Sequence, residues 1–486
     1  MARSLDIGAG AAALTLFIGP VVREAPGQSC QPHWSASFVG SEPDGGVQSL
    51  VALTDELGPA LYVGGWFSSA GGVPASRAAR WSGSSWSALG SGIPSNFNSH
   101  GVFGCCAAVY SLCGGFPGDP AVHIGGDFIT AGGSLLESIA RWQGGAWISM
   151  AGGVERTGCV DCAFRVYAQT IYDDGSGPAL YAAGTFNRAG GVDANRVAKW
   201  DGSGWSPLGE GIGGLPSEPG PNWARAVAVF DDGSGPKLFV AGTFTTAGSV
   251  ATSGIASWDG ASWAAVGGGL GQTPGGHIPS ANALAVFDDG HGPALYVGGY
   301  FELIGGISAR NIARWDGAAW TALGAGVGST PNDQVWTLAG FNDGTGPALF
   351  VGGSFDDAGG MPISGLARWR GGQWSDVAGG VTGGAVEALA AYDDGSGPSL
   401  MVGGWFTGAG GLPSRYLARW AGCTGCYPNC DASTTPPVLN ILDFVCFINR
   451  FAAGSTYANC DASTAPPVLN VLDFQCFLNR FAAGCP

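Results

Sequence analysis

The residues whose types and spacing suit chemistry cluster near the end of the chain, where residues 430–444 recur thirty residues later as 460–474. Each copy opens on Asp and closes on Leu-Asn-x-x-Asp, so that several side-chain oxygens fall within one short loop. Calcium takes roughly six to eight oxygen ligands, and such a loop supplies them around one centre. The candidate ligands are Asp431, Ser433, Asn440 and Asp443, with Thr435 and the Val438 carbonyl beside them, and Asp461, Ser463, Asn470 and Asp473 repeat the set. An apolar stretch follows each loop, 444–451 or 474–481, and reads as a short helix stopped at Gly454 or Gly484. A second reading needs no ion. Cys430 and Cys446 are sixteen apart, as are Cys460 and Cys476, which suggests one bridge per half tying loop to helix and leaves Cys485 to pair near Cys423 or Cys426.

No comparable constellation stands elsewhere in the chain. His33, His100, His123, His277 and His291 are its five histidines, and none pairs with a Ser or Cys in a recognisable nucleophile–base arrangement. Cys159-x-x-Cys162 and Cys423-x-x-Cys426 have zinc-like spacing but no histidine at finger distance. They read better as disulfide cysteines, since residues 1–27 have the form of a secretory signal: Arg3, an apolar stretch from Ile7 to Val22, then Ala25-Pro26-Gly27. That stretch is shorter than the ~20 residues a membrane span needs, so no span is expected after cleavage. In an exported chain, thirteen cysteines imply mostly disulfides and at least one unpaired or intermolecular thiol.

Composition bounds what holds these residues. Of 486 residues, 88 are Gly and only 12% are charged, which suits many tight turns between short strands and points to an all-β fold. Twenty Lys and Arg stand against 36 Asp and Glu, a net charge of -16. Such a chain repels phosphate backbones, so nucleic acid is excluded as a partner.

Between the two ends runs a repeat. A Gly-Gly-x-Phe type anchor begins at Gly64, Gly125, Ala183, Ala241, Gly298, Gly352 and Gly403. Seventeen positions later stand Trp81, Trp142, Trp200, Trp258, Trp315, Trp369 and Trp420. Five further on come Trp86, Trp147, Trp205, Trp263, Trp320 and Trp374; the seventh copy lacks this residue, and Trp34-Ser35-Ala36-Ser37-Phe38 stands alone before the first repeat as its replacement. Each unit reads as four strands, as at 226–230, 238–244, 254–258 and 263–266. Four-stranded units in tandem predict a seven-bladed β-propeller whose N-terminal strand closes the last blade. The repeated tryptophans fill the layer between blades. Trp66, Trp223, Trp336 and Trp405 lie outside both series, and an aromatic that serves a ligand is expected among these four. Asp-Asp-Gly-Ser-Gly-Pro at Asp173, Asp231 and Asp393, with variants at Asp288 and Asn342, reads as a hairpin turn rather than a second calcium loop.

Over residues 31–422 the pattern resembles the kelch and galactose-oxidase type of propeller, and more closely the Leu-Tyr-Val-Gly-Gly-x-Phe … Ala-Arg-Trp-Asp-Gly repeats of cell-surface polarity-marker propellers. The His and Tyr copper ligands of galactose oxidase have no assignable counterparts. The duplicated end resembles the dockerin family, and its Ala-Ala-Gly-Cys ending is similar to that of bacterial GC-type dockerin domains. It departs from that pattern in its length, in Pro436-Pro437 where a glycine would ease the turn, and in Ala465, which offers no side-chain oxygen. Weaker calcium binding than the family's is therefore expected. The resemblance implies a docking partner, cohesin-like or on the cell surface, gripped by Ile441, Leu442, Asn449 and Arg450 or by Val471, Leu472, Asn479 and Arg480. The expected organisation is thus a signal peptide (1–27), a propeller (28–422) and a small α-helical dockerin-like module (423–486) holding Ca2+. The expected protein is secreted or cell-surface and non-catalytic, with a glycan or protein ligand on the propeller; the alternative is an extracellular carbohydrate-active enzyme or oxidase with its site at the propeller axis.

Overall fold

Short runs such as Leu-Phe-Val-Ala-Gly alternate with glycine-rich turns throughout the chain, and each run becomes a strand because a neighbour on either side takes up its backbone groups. The structure, a computed structural model, describes residues 31–94, 107–116, 119–155, 164–215, 222–271, 273 and 276–422. The expected signal segment, the expected calcium and docking residues of 423–486, and every cysteine but Cys113 lie outside this set. Apart from Gln31, the described residues belong to one compact unit, Pro32–Thr424. Among them, no helix is long and apolar enough to cross a membrane.

Seven four-stranded antiparallel sheets follow one another along the described chain. The fourth is representative: Trp223–Asp231, Pro236–Thr243, Ile255–Trp258 and Trp263–Ala265 pair in sequence order. Its first hairpin shows why the Asp-Asp-Gly-Ser-Gly-Pro turn recurs. Asp231 Oδ1 accepts from the N–H groups of Gly233 (2.9 Å) and Gly235 (3.0 Å), whose φ angles of 93° and 109° exclude other residues. The Asp232 carboxylate accepts from Ser234 and takes the Lys237 ammonium at 2.8 Å. The same bonds form at Asp173, Asp288, Asn342 and Asp393. These oxygens hold the turn itself.

The two tryptophan series join sheet to sheet. In the fourth sheet Trp258 and Trp263 face each other across the outer strand pair at 5.2 Å, and the Trp263 indole N–H donates to the Leu208 carbonyl of the third sheet at 2.8 Å. Trp147, Trp205, Trp320 and Trp374 bond back to Leu89, Met150, Gly267 and Leu323 in the same way. Size matching joins them on the other side. Anchors Gly64, Gly125, Gly298 and Gly352 sit against Val109, Val166, Val335 and Val386 of the next sheet, and a Cβ at any of them would collide with the valine. Where the anchor is Ala183 or Ala241, the next sheet's equivalent residue shrinks to Ala224 or Ala281. Close packing requires this exchange of volume.

The succession meets its own start. The seventh sheet is Ala385–Tyr392, Ser399–Trp405 and Leu417–Ala421, and its fourth strand is His33–Ser35 from the N-terminal end. Trp34 pairs with Trp420, meets its ring edge-on at 5.4 Å and donates to the Val377 carbonyl at 2.9 Å, which is the bond made by the other outer-strand tryptophans. The strand is shorter than the expected 34–38: beyond Ser35 the chain leaves it, and Phe38 packs on Trp81 (5.1 Å) and Trp86 (6.0 Å) of the first sheet. Anchor Gly403 of the seventh sheet receives Val47 of the first.

Candidate binding site

Every first strand carries one irregularity at the same place. The ladder skips a residue between Val47 and Ser49, Val109 and Ser111, Val166 and Ala168, Ala224 and Ala226, Ala281 and Ala283, Val335 and Thr337, and Val386 and Ala388. A bulge of this kind leaves one residue unpaired and re-aims its side chain. The seven unpaired residues are Gln48, Tyr110, Tyr167, Arg225, Asn282, Trp336 and Glu387. Their neighbours on either side are apolar or small; they themselves are polar, charged or aromatic.

These side chains meet. Gln48 Nε2 donates to Glu387 Oε2, linking the first and seventh sheets. Tyr110 and Tyr167 lie 5.3 Å apart. The Arg225 guanidinium sits 4.9 Å from the Tyr167 ring, 4.7 Å from Trp223 and 5.5 Å from Trp336. Trp336 belongs to the sixth sheet and Arg225 to the fourth, so residues of non-adjacent sheets converge. Asn282 Nδ2 donates to the Val335 carbonyl at 3.2 Å. Beside the belt, Arg165 pairs with Asp127 at 3.1 Å and donates to the Tyr167 hydroxyl at 3.2 Å.

Burial tunes the charges here. It pushes the Glu387 carboxyl up to about 7, against the opposing pull of the Arg225 charge, and lowers Arg225. Burial likewise raises Asp127, although Arg165 holds it back. A carboxyl poised near neutrality, an arginine and several aromatic faces can hold a polar ligand and move a proton.

All four tryptophans singled out in the sequence fall at this end of the sheets. Trp223 and Trp336 flank Arg225, and Trp66 meets Tyr110 edge-on at 6.1 Å. Trp405 lies over Gly46, where any side chain would run into its indole, and remains 42% exposed. The other six belt residues were not anticipated. Their signal is a constant distance: each stands sixteen residues before its anchor, fifteen for Tyr110, while its type changes from copy to copy. A depression of about 330 Å³ at the opposite ends of the first strands is lined by strand-end and turn residues, among them Pro59, Tyr392, Asp393 and Pro398. Of the histidines, His123 is buried, and burial holds it down to about 4, so it stays neutral. Cys113 is a buried free thiol that burial pushes up to about 12.

By this geometry the chain is an all-β repeat protein. No family model and no curated protein matches it. Among solved structures, the extracellular domain of a hybrid two component system protein from B. thetaiotaomicron aligns at 10% identity and a TM-score of 0.45, over 81% of this chain. This chain spans 40% of the length of that one. BBS1N in complex with ARL6DN aligns at 9% identity and 0.43, over 79% of this chain and 95% of its own. An ancestral GH74 enzyme aligns at 13% identity and 0.24, over 80% and 62%.

Proposed function

We propose that residues 28–422 form a closed seven-bladed β-propeller, secreted or held at the cell surface, that binds a glycan or protein ligand with the belt of bulge residues. The observation that carries this reading is the contrast within one backbone position: the bulge repeats seven times, yet six residue types occupy it and six of the seven residues touch another of the set. Framework positions repeat their residues, as the tryptophans do. A position that keeps its geometry and changes its chemistry suits recognition of an asymmetric ligand. The 423–486 module, ordered by Ca2+, docks the propeller to a cohesin-like or surface partner in this proposal. The test is a glycan and protein array probed with the native chain and with Trp336→Ala and Tyr167→Ala, both checked for unchanged melting. Loss of the captured ligand in both variants supports the reading; retention at native affinity in both sinks it. Glu387 favours one second reading, acid–base catalysis at the same belt, and turnover of the captured ligand by the native chain but not by Glu387→Gln would select it.

A further inference from the structure

Arg225 is the cation around which the belt gathers, and among the described residues no carboxylate is in bonding contact with it. Three aromatic rings hold its guanidinium by their faces, and it makes no hydrogen bond or ion pair with another described residue. By contrast, Arg165 pairs with Asp127, and Glu387 accepts a hydrogen bond from the neutral Gln48 amide. A guanidinium fixed in orientation, partly desolvated and with its donor fork unfilled fits a planar carboxylate in two parallel bonds.

Two further features describe the rest of the ligand. The Trp405 indole is laid over Gly46 and is 42% exposed, an open aromatic face of the kind that stacks on the C–H side of a sugar ring. Two residues on from Gly46, Gln48 and its partner Glu387 offer donor and acceptor groups to hydroxyls. We propose that the ligand is an acidic glycan, a hexuronic acid oligomer whose carboxylate is taken by Arg225 and whose sugar face lies on Trp405. This rests on the binding reading above.

The experiment is titration calorimetry of the full chain with hexuronic acid tetramers of differing linkage and with their carboxyl-reduced counterparts, which keep the ring and lose the charge. An acid tetramer should bind, and its reduced form about 10- to 100-fold more weakly, as for loss of a charged hydrogen-bonded pair. Arg225→Gln should abolish that preference, Arg225→Lys should restore part of it, and Trp405→Ala should weaken both forms equally. Equal binding of acid and reduced forms, a preference that survives Arg225→Gln, or no binding of any acid tetramer at millimolar concentration overturns the proposal. So does stronger binding of a peptide through its C-terminal carboxylate. These failures leave the array result with Trp336→Ala standing, whereas loss of the binding reading would appear in that array first.

Discussion

Glu387 keeps a proton that the unfolded chain releases. Its carboxyl is pushed up to about 7 in the fold by burial, against about 4.3 for a free glutamate. Between those values the unfolded state has lost the proton and the native state retains it, so this group's contribution to stability falls as pH rises from about 4.3 to about 7. Glu387→Gln keeps a carbonyl oxygen to accept from Gln48 and removes the titration. Its stability relative to the native chain should therefore rise across that window, reaching an advantage of no more than about 4 kcal/mol above pH 7; a difference that is flat with pH would refute the assignment. Why this residue escaped the sequence reading is instructive. Trp66, Trp223, Trp336 and Trp405 were visible because they break two tryptophan series. Gln48, Arg225 and Glu387 were not, because a bulge is an event of register between two strands, and a strand read for alternation alone does not reveal which residue its partner will skip.

At the scale of elements the sequence was far more legible. Turn chemistry, strand order and the role of the tryptophans follow from repetition, since any side chain that must meet the same neighbour in every sheet recurs at the same spacing. The short extra pairs such as Ser69–Ala70 with Val73–Pro74 were missed; at two residues each they carry no periodic signal. The volume exchange between sheets makes a sharper claim. Gly298→Ala drives a methyl into Val335 and should cost about 1–3 kcal/mol. Val335→Ala opens a gap instead and should also destabilise. Combined, the two reproduce the Ala241 and Ala281 pair that the fourth and fifth sheets already use, so the double variant should be more stable than the sum of the singles predicts by at least about 0.5 kcal/mol. Strict additivity in urea titrations would show that the two residues do not share the space described.

For the whole molecule, different duties are proposed for the two ends of the sequence. The repeated sheets were expected to form their own unit, and the calcium-ordered end was expected to add a docking function. In calorimetry on the full chain, Asp443→Ala and Asp473→Ala should each abolish about one bound calcium ion while the principal melting transition stays in place; undiminished uptake in both would assign the metal elsewhere. The opening residues have the contrary role, since Trp34 completes the seventh sheet by pairing with Trp420. Synthesis runs in one direction, at about 5–20 residues per second. The strand translated first is therefore the strand used last: it waits on the order of tens of seconds for its partner, and six sheets can assemble while the seventh has an open edge. A polypeptide arrested anywhere short of Leu417 holds one half of a clasp with nothing to fasten to, so completion of the last sheet is written into the hydrogen bonding of a three-residue strand.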